Sequence, residues 1–226
     1  MRISLQPAFI LHHRPYRETS VLLDVLTAEF GWISLVARGV RTQRSRSRAL
    51  LQPFVPLLVS WRGKGELLSM ESVEANGAPL QLRGDCLLSG FYLNELLIKV
   101  LQKSDPHPRL YTIYHHTLLE LLGPNLKQQT LRLFEKNLLQ ELGYALQLQM
   151  DFSTGEALQA ERLYQYYPEQ GFKQVEQGGF KGKSLLALAG EQFDDDECLR
   201  EIKHVMRLAL ASLLGYQPLQ SRKLFK

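Results

Sequence analysis

A chain of 226 residues with 45% hydrophobic side chains carries enough apolar material for one large core or two modest ones, which excludes a disordered protein. No apolar run approaches about 18 residues, which excludes a transmembrane helix, and two widely spaced cysteines, Cys86 and Cys198, build neither a disulfide framework nor a cysteine zinc site. The net charge of +4 is unevenly spread: residues 1–64 hold ten Lys/Arg against Glu18, Asp24 and Glu29, a surplus of seven, while the rest is net acidic by three. A polyanion is therefore the expected partner of the N-terminal part, and nucleic acid is the commonest one.

The opening MRISLQPAFILHHRPYRE lacks a small-residue cleavage site and reads as a first strand, not a signal peptide. With the sparse cysteines it predicts a cytoplasmic protein. Strands are expected at Ala8–His12, Val21–Thr27, Trp32–Ala37, Pro56–Trp61 and Leu67–Val73, joined by AEFG with Gly31 and by Arg62-Gly63-Lys64-Gly65. Five short strands before residue 80 fit a small closed barrel, the OB-fold. Between the third and fourth lies ARGVRTQRSRSRALLQPF, too polar for a core strand and placed where an OB-fold has its longest connection.

From residue 80 the period becomes helical. Leu87, Leu88, Phe91, Glu95 and Ile98 recur at spacings of three and four within Leu82–Lys103. Further helices are expected at Leu110–Leu122, before Gly123-Pro124, at Thr130–Leu142, before Gly143, and at Asp194–Leu214, acidic at its start as the helix dipole favours. Residues 145–180 are irregular, with YYPEQGFKQVEQGGF reading as a small hairpin or loop. The predicted class is α+β: an OB-fold at 1–79 followed by a mainly helical domain at 80–226.

The segment 38–48 concentrates function. Arg38, Arg41, Arg44, Arg46 and Arg48 stand without an acid among them, and Gly39 with Thr42, Ser45 and Ser47 keeps the segment small. Guanidinium forks grip phosphate oxygens, so this loop, helped by Arg14 and Arg17, is expected to follow a nucleic-acid backbone with little sequence preference. Tyr16, Phe30, Trp32 and Trp61 are candidates to stack on bases or to pack the barrel. The pairs His12-His13 and His115-His116 diverge on a strand or a helix and lack a third ligand, so no metal or cofactor is expected. No GxSxG, P-loop or HExxH motif occurs, so no catalytic residue is assigned.

Several quotable blocks in fixed order resemble the bacterial RecO family, its proteobacterial branch in particular. They are AFILHHRPYRETS at 8–20, VLLDVLTAEFG at 21–31, VARGVRTQRS at 36–45, LQPFVPLLVSWRGKGEL at 51–67, GFYLNELL at 90–97, LRLFEKNLLQELGY at 131–144 and PLQSRKLF at 218–225. The resemblance implies a nucleoid-associated recombination mediator that binds single- and double-stranded DNA and anneals complementary strands. It also implies that the protein works with RecR to load RecA onto DNA coated by single-stranded DNA-binding protein, and grips that protein's acidic, phenylalanine-ended tail. Arg132, between Leu131 and Leu133-Phe134, is the first candidate to meet the tail carboxylate, and Lys99 the second; an ordinary surface charge is the alternative for Arg132. Arg222 and Lys223 are further candidates for DNA or RecR contact. Many family members carry four zinc cysteines after the GY; residues 145–180 here contain none, so a degenerate, metal-free hairpin is expected. An OB-fold RNA-binding protein is the rival reading.

Overall fold

The computed structural model describes residues 1–42, 45–124, 128–193, 195–215 and 218–224, apart from the side chains of Arg46, Arg222 and Leu224. They pack as two compact units: Met1–Leu126 together with Leu219–Lys226, and Lys127–Pro218.

The first unit opens with β1 (Arg2–Tyr16), β2 (Ser20–Thr27), β3 (Gly31–Ala37), β4 (Leu57–Arg62) and β5 (Leu67–Ala75), closed into a barrel in the order β1-β2-β3-β5-β4. The parallel β3–β5 pairing closes the ring, and every other pair is antiparallel. This is the five-stranded OB arrangement that alternating hydrophobicity predicts. β1 is much longer than the expected Ala8–His12. Its first half pairs with β4 and its second half with β2. Two register breaks let it serve both: one near Leu5, whose φ is 51° and whose N–H donates to Ser60 Oγ at 3.0 Å, and one at Leu11, between Ile10 and His12. Alternate residues, among them Ile10, Leu23, Val25, Leu35, Leu57 and Val59, fill the interior.

Two helices follow in the same unit, α1 (Gly84–Val100) and α2 (Pro108–Glu120), the second with Pro108 at its first turn, where a missing N–H costs nothing. The stripe read from spacing in α1 is not its buried face. Phe91 is exposed and edges onto Phe54, while Ser89, Gly90, Leu93, Asn94, Leu96 and Leu97 are buried. The buried face includes polar Asn94 because the Leu11 bulge frees a carbonyl. Asn94 Nδ2 donates to Leu11 O at 2.8 Å, and Tyr114 of α2 donates its hydroxyl to Asn94 Oδ1 at 2.6 Å. A barrel irregularity is thus satisfied by two helices at once. α1 ends at Val100 and not at Lys103, because the chain turns back to bridge β3, where Ser104 N donates to Trp32 O. Gly31 (φ 66°) sits under this loop, and a Cβ there would lie 2.0 Å from Asp105 O, so only glycine fits the turn.

The second unit holds α3 (Gln128–Glu141), β6 (Leu163–Tyr167), β7 (Gly171–Val175), β8 (Phe180–Lys181), α4 (Gly182–Gly190) and α5 (Asp196–Leu213). β6 and β7 form the expected hairpin, in a small sheet of order β7-β6-β8. The acidic start of α5 is a cap: Asp195 accepts from Glu197 N at 2.8 Å, and Asp194 lies outside the described residues. Beside the hairpin, the buried carboxylate of Asp151 accepts from Ser153 N and Ser153 Oγ, both at 2.7 Å, from Thr154 N at 3.3 Å and from Gln174 N at 2.7 Å. It therefore ties the 149–158 loop to β7. Among the described residues no group of three or more His, Cys, Asp or Glu is placed to hold a metal ion. Both cysteines are free and buried.

Candidate nucleic-acid interface

The site is built on the β1–β2 hairpin and the long β3–β4 connection. Tyr16 pairs opposite Ser20, and Arg17, Glu18 and Thr19 form the turn, with Arg17 at φ 53°. The register carries on to Val21 opposite Ala37 and Leu22 opposite Val36. Even-numbered residues of β1 near the turn thus share one face with Ser20 and Val36, while His13, Pro15 and Val21 share the other.

The arginine segment leaves β3 at Arg38. It begins with a tight turn at Gly39 (φ 71°), whose carbonyl accepts from Thr42 N at 3.3 Å and Thr42 Oγ1 at 2.8 Å. Val40 and Leu51, both in the barrel core, anchor its two ends, and a 3-10 turn at Arg46–Ala49 leads back toward β4. Arg41 ties the segment to the hairpin: its N–H donates to Thr19 O at 2.9 Å and its Nη1 to Arg17 O at 3.0 Å. The exposed guanidinium groups are therefore mounted on a positioned backbone.

Arg14, Arg17, Arg38, Arg41 and Arg48 are all exposed, and none pairs with a carboxylate among the described residues. Arg2 and Arg62, equally N-terminal in sequence, are different: Glu71 takes both, at 2.7 and 3.5 Å. The basic surplus is thus sorted into two arginines that share one carboxylate, Glu71, and a set around the hairpin that makes no ion pair among the described residues, with the exposed Glu18 of the turn among it. Arg44 and the side chain of Arg46 lie outside the described residues. Partial burial, and then neighbouring His12, hold the His13 imidazole below the usual histidine value.

Two concavities flank the hairpin. A wide groove of about 670 Å³ is lined by Tyr16, Arg17, Ser20, Val36, Arg38 and Ser69 among others. A narrower, more apolar one of about 270 Å³ has His13, Pro15, Val21, Val40 and Leu51 as its walls, with Arg41 and Arg48. Of the four aromatic candidates, Tyr16 lies in the wide groove, with the Arg17 guanidinium 5.3 Å from its ring centre. Trp61 is only 2% exposed and belongs to the barrel core, with the half-buried Phe30 edge-on at 5.3 Å, so Trp61 packs the barrel. Trp32 is half-buried under Lys103 Nζ. What sequence reading missed is Val40 and Thr19, which place the loop. The one available signal was a lone valine between two arginines.

The two tail candidates belong to different units. Arg132 is buried, not an ordinary surface charge: its Nη2 stands 2.9 Å from Glu135 Oε1, and its Nε has no hydrogen-bond partner among the described residues. Lys99 lies 3.7 Å from Glu95. Glu95 also receives Gln220 N, Ser221 N and Ser221 Oγ at 2.8, 2.8 and 2.6 Å, so the 219–224 segment is fastened to α1. Burial opposes ionisation of Glu95, but these donors outweigh it and hold its carboxyl below the usual value. The Arg222 side chain lies outside the described residues, and Lys223 is exposed, donating to Gln220 Oε1 at 2.9 Å.

Two family models match the chain: Recombination protein O N terminal over residues 1–78 and Recombination protein O C terminal over residues 83–182. Similar proteins include DNA repair protein RecO of Coxiella burnetii (strain RSA 493 / Nine Mile phase I), 48% identical over 227 residues, covering 99% of this chain and 98% of that one. DNA repair protein RecO of Nitrosococcus oceani is 44% identical over 231 residues, covering 100% and 94%. The Methylococcus capsulatus protein of the same name is 42% identical over 227 residues, again covering 100% and 94%.

Proposed function

Because the chain belongs to the recombination protein O family, with its role in DNA repair and recombination, we propose that it is a DNA-binding mediator that performs no covalent chemistry. It binds single- and double-stranded DNA, anneals complementary strands, and with RecR helps load RecA onto DNA coated by single-stranded DNA-binding protein. The observation that carries the DNA-binding reading is the set of exposed arginines around the hairpin that make no ion pair among the described residues, tied to it by the Arg41 bonds to Arg17 and Thr19. Tying the backbone at Arg41 removes part of the ordering that engaging phosphate would otherwise require. Arg44 and Arg46 extend the same run in sequence. Annealing follows from the same chemistry, since two like-charged strands meet only where their repulsion is neutralised. The coating protein's acidic tail is assigned to Arg132 first and Lys99 second. Arg132 carries an Nε without a partner among the described residues, but it is buried beside the Glu135 carboxylate, so a tail carboxylate can engage it only if the guanidinium becomes uncovered.

The test is oligonucleotide binding across a salt series, wild type against Arg17→Ala/Arg38→Ala/Arg41→Ala/Arg48→Ala. If all four contact single-strand phosphates, the log–log salt slope shrinks by about 3, at roughly 0.7 per contact. An unchanged slope and affinity refute the assignment. Tighter binding of structured RNA than of DNA by the wild type would favour the RNA-handling alternative.

A further inference from the structure

We propose that the β1–β2 hairpin divides the interface into two separate nucleic-acid tracks, so that a single chain holds two strands at once, one on each side of the hairpin. The inference rests on the DNA-binding reading above and concerns how that surface is partitioned.

The first support is the register. Adjacent residues of a strand point to opposite faces, and the hairpin follows this to its tip: Tyr16 and Ser20 line the wide groove, whereas His13, Pro15 and Val21 line the narrow one. The second is how charge is distributed. Among the described residues each groove has its own pair of exposed arginines, Arg17 and Arg38 on one side, with Glu18 beside them, and Arg41 and Arg48 on the other. Among the described residues no arginine lines both. The third is that the divider is held in place. Arg41 fastens the turn to the arginine segment through two hydrogen bonds, and Val40 fixes that segment in the barrel core. Backbone and apolar side chains therefore stand between the grooves.

The grooves also differ in character. The wide one offers the Tyr16 ring beside two guanidinium groups and the Ser20 and Ser69 hydroxyls, with one carboxylate, Glu18, at the turn; two cations against one acid still suit a strand whose bases stack while its phosphates pair. The narrow one offers a mostly apolar lining with two guanidinium groups, which suits a sugar–phosphate backbone with its sugar against Pro15 and Val21. Two strands with their phosphates neutralised on either side of one hairpin are brought close without mutual repulsion, the encounter that annealing needs.

The experiment counts strands. Native mass spectrometry of the full chain with a short oligothymidylate, which cannot pair with itself, gives two strands per chain at saturation for the wild type. Arg17→Ala/Arg38→Ala and Arg41→Ala/Arg48→Ala each give one strand, with affinity for that strand within about threefold of wild type. Each pair also slows annealing of complementary oligonucleotides at least tenfold. Because Arg41 bonds the hairpin, melting temperature is followed in parallel, and the matching Arg→Lys pairs are expected to regain the second strand. Saturation of the wild type at one strand overturns the proposal. So does loss of all binding in either pair alone, which would mean one continuous track, while leaving the DNA-binding reading intact. Wild-type binding by the quadruple variant would instead remove that reading itself.

Discussion

Asp151 offers a sharp test of what organises the second unit. Its Oδ1 accepts the Ser153 and Thr154 donors, and its Oδ2 accepts Gln174 N at 2.7 Å. Asp151→Asn keeps size and shape, but one of its two positions must become an NH2. Placed opposite Gln174, that group meets an N–H at hydrogen-bond distance, donor against donor. The loss is a bond to a charged acceptor, about 1.5–3 kcal/mol, together with an unsatisfied buried donor, about 1–3 kcal/mol. A combined cost of about 3–5 kcal/mol is expected. In a unit the size of Lys127–Pro218 this lowers the melting transition by at least about 12 °C, and the Gln174 amide should exchange about a hundredfold faster or more. The pH dependence has a definite sign. Burial raises the Asp151 carboxyl, but the N–H of Gln174 and the donors of Ser153 and Thr154 outweigh it and leave it below its usual value. A depressed carboxyl stabilises above its unfolded value, about 3.9, and that contribution disappears as pH falls through the folded value. Wild type and Asp151→Asn should therefore differ fully at neutral pH and converge in strong acid. Calorimetry and hydrogen exchange measure both. A difference below about 0.5 kcal/mol at pH 7, with Gln174 exchange unchanged, would refute the view that this carboxylate holds the loop to β7.

Two further predictions follow from buried polar groups. Asn94→Leu removes the donor to Leu11 O and the acceptor of the Tyr114 hydroxyl; it should cost about 2–4 kcal/mol in chemical denaturation, as buried partners lost without replacement do. Arg132→Lys retains a cation opposite Glu135 but deletes the unpartnered Nε. Its affinity for an acidic peptide ending in phenylalanine should fall about tenfold by fluorescence anisotropy, the scale of one charged hydrogen bond, and unchanged affinity would move the tail site elsewhere.

The barrel was legible because a small core is filled by alternation, and residues such as Leu23, Val25, Leu35 and Val59 alternate as strands require. β1 was read too short because its second half reaches beyond the core, where HHRPY carries no apolar period. The inward face of α1 was hidden for a related reason: Asn94 is buried to serve a bulge in a strand 83 residues away, and no local pattern encodes a distant irregularity. The arginine run was plain in sequence. Its separation from the Arg2 and Arg62 pair on Glu71 was not, since that depends on which strands are neighbours. For Trp61 composition left both base stacking and barrel packing open, and register, which turns it inward, selects packing. Asp151 reads as one acid among many until the loop and β7 come together around it, and α4, short and bounded by Gly182 and Gly190, escaped the helical pattern altogether.

The grip of Glu95 on Ser221 also orders events in time. The unit that begins at Met1 includes residues past Leu219, so a ribosome must add the whole of Lys127–Pro218 before that unit receives its final piece. At about 5–20 residues per second this is a delay on the order of 5–20 s. During that interval α1 presents a carboxylate whose donors have not yet been synthesised. The barrel can form at once from its own strands, but its unit becomes complete only after the inserted one has been made.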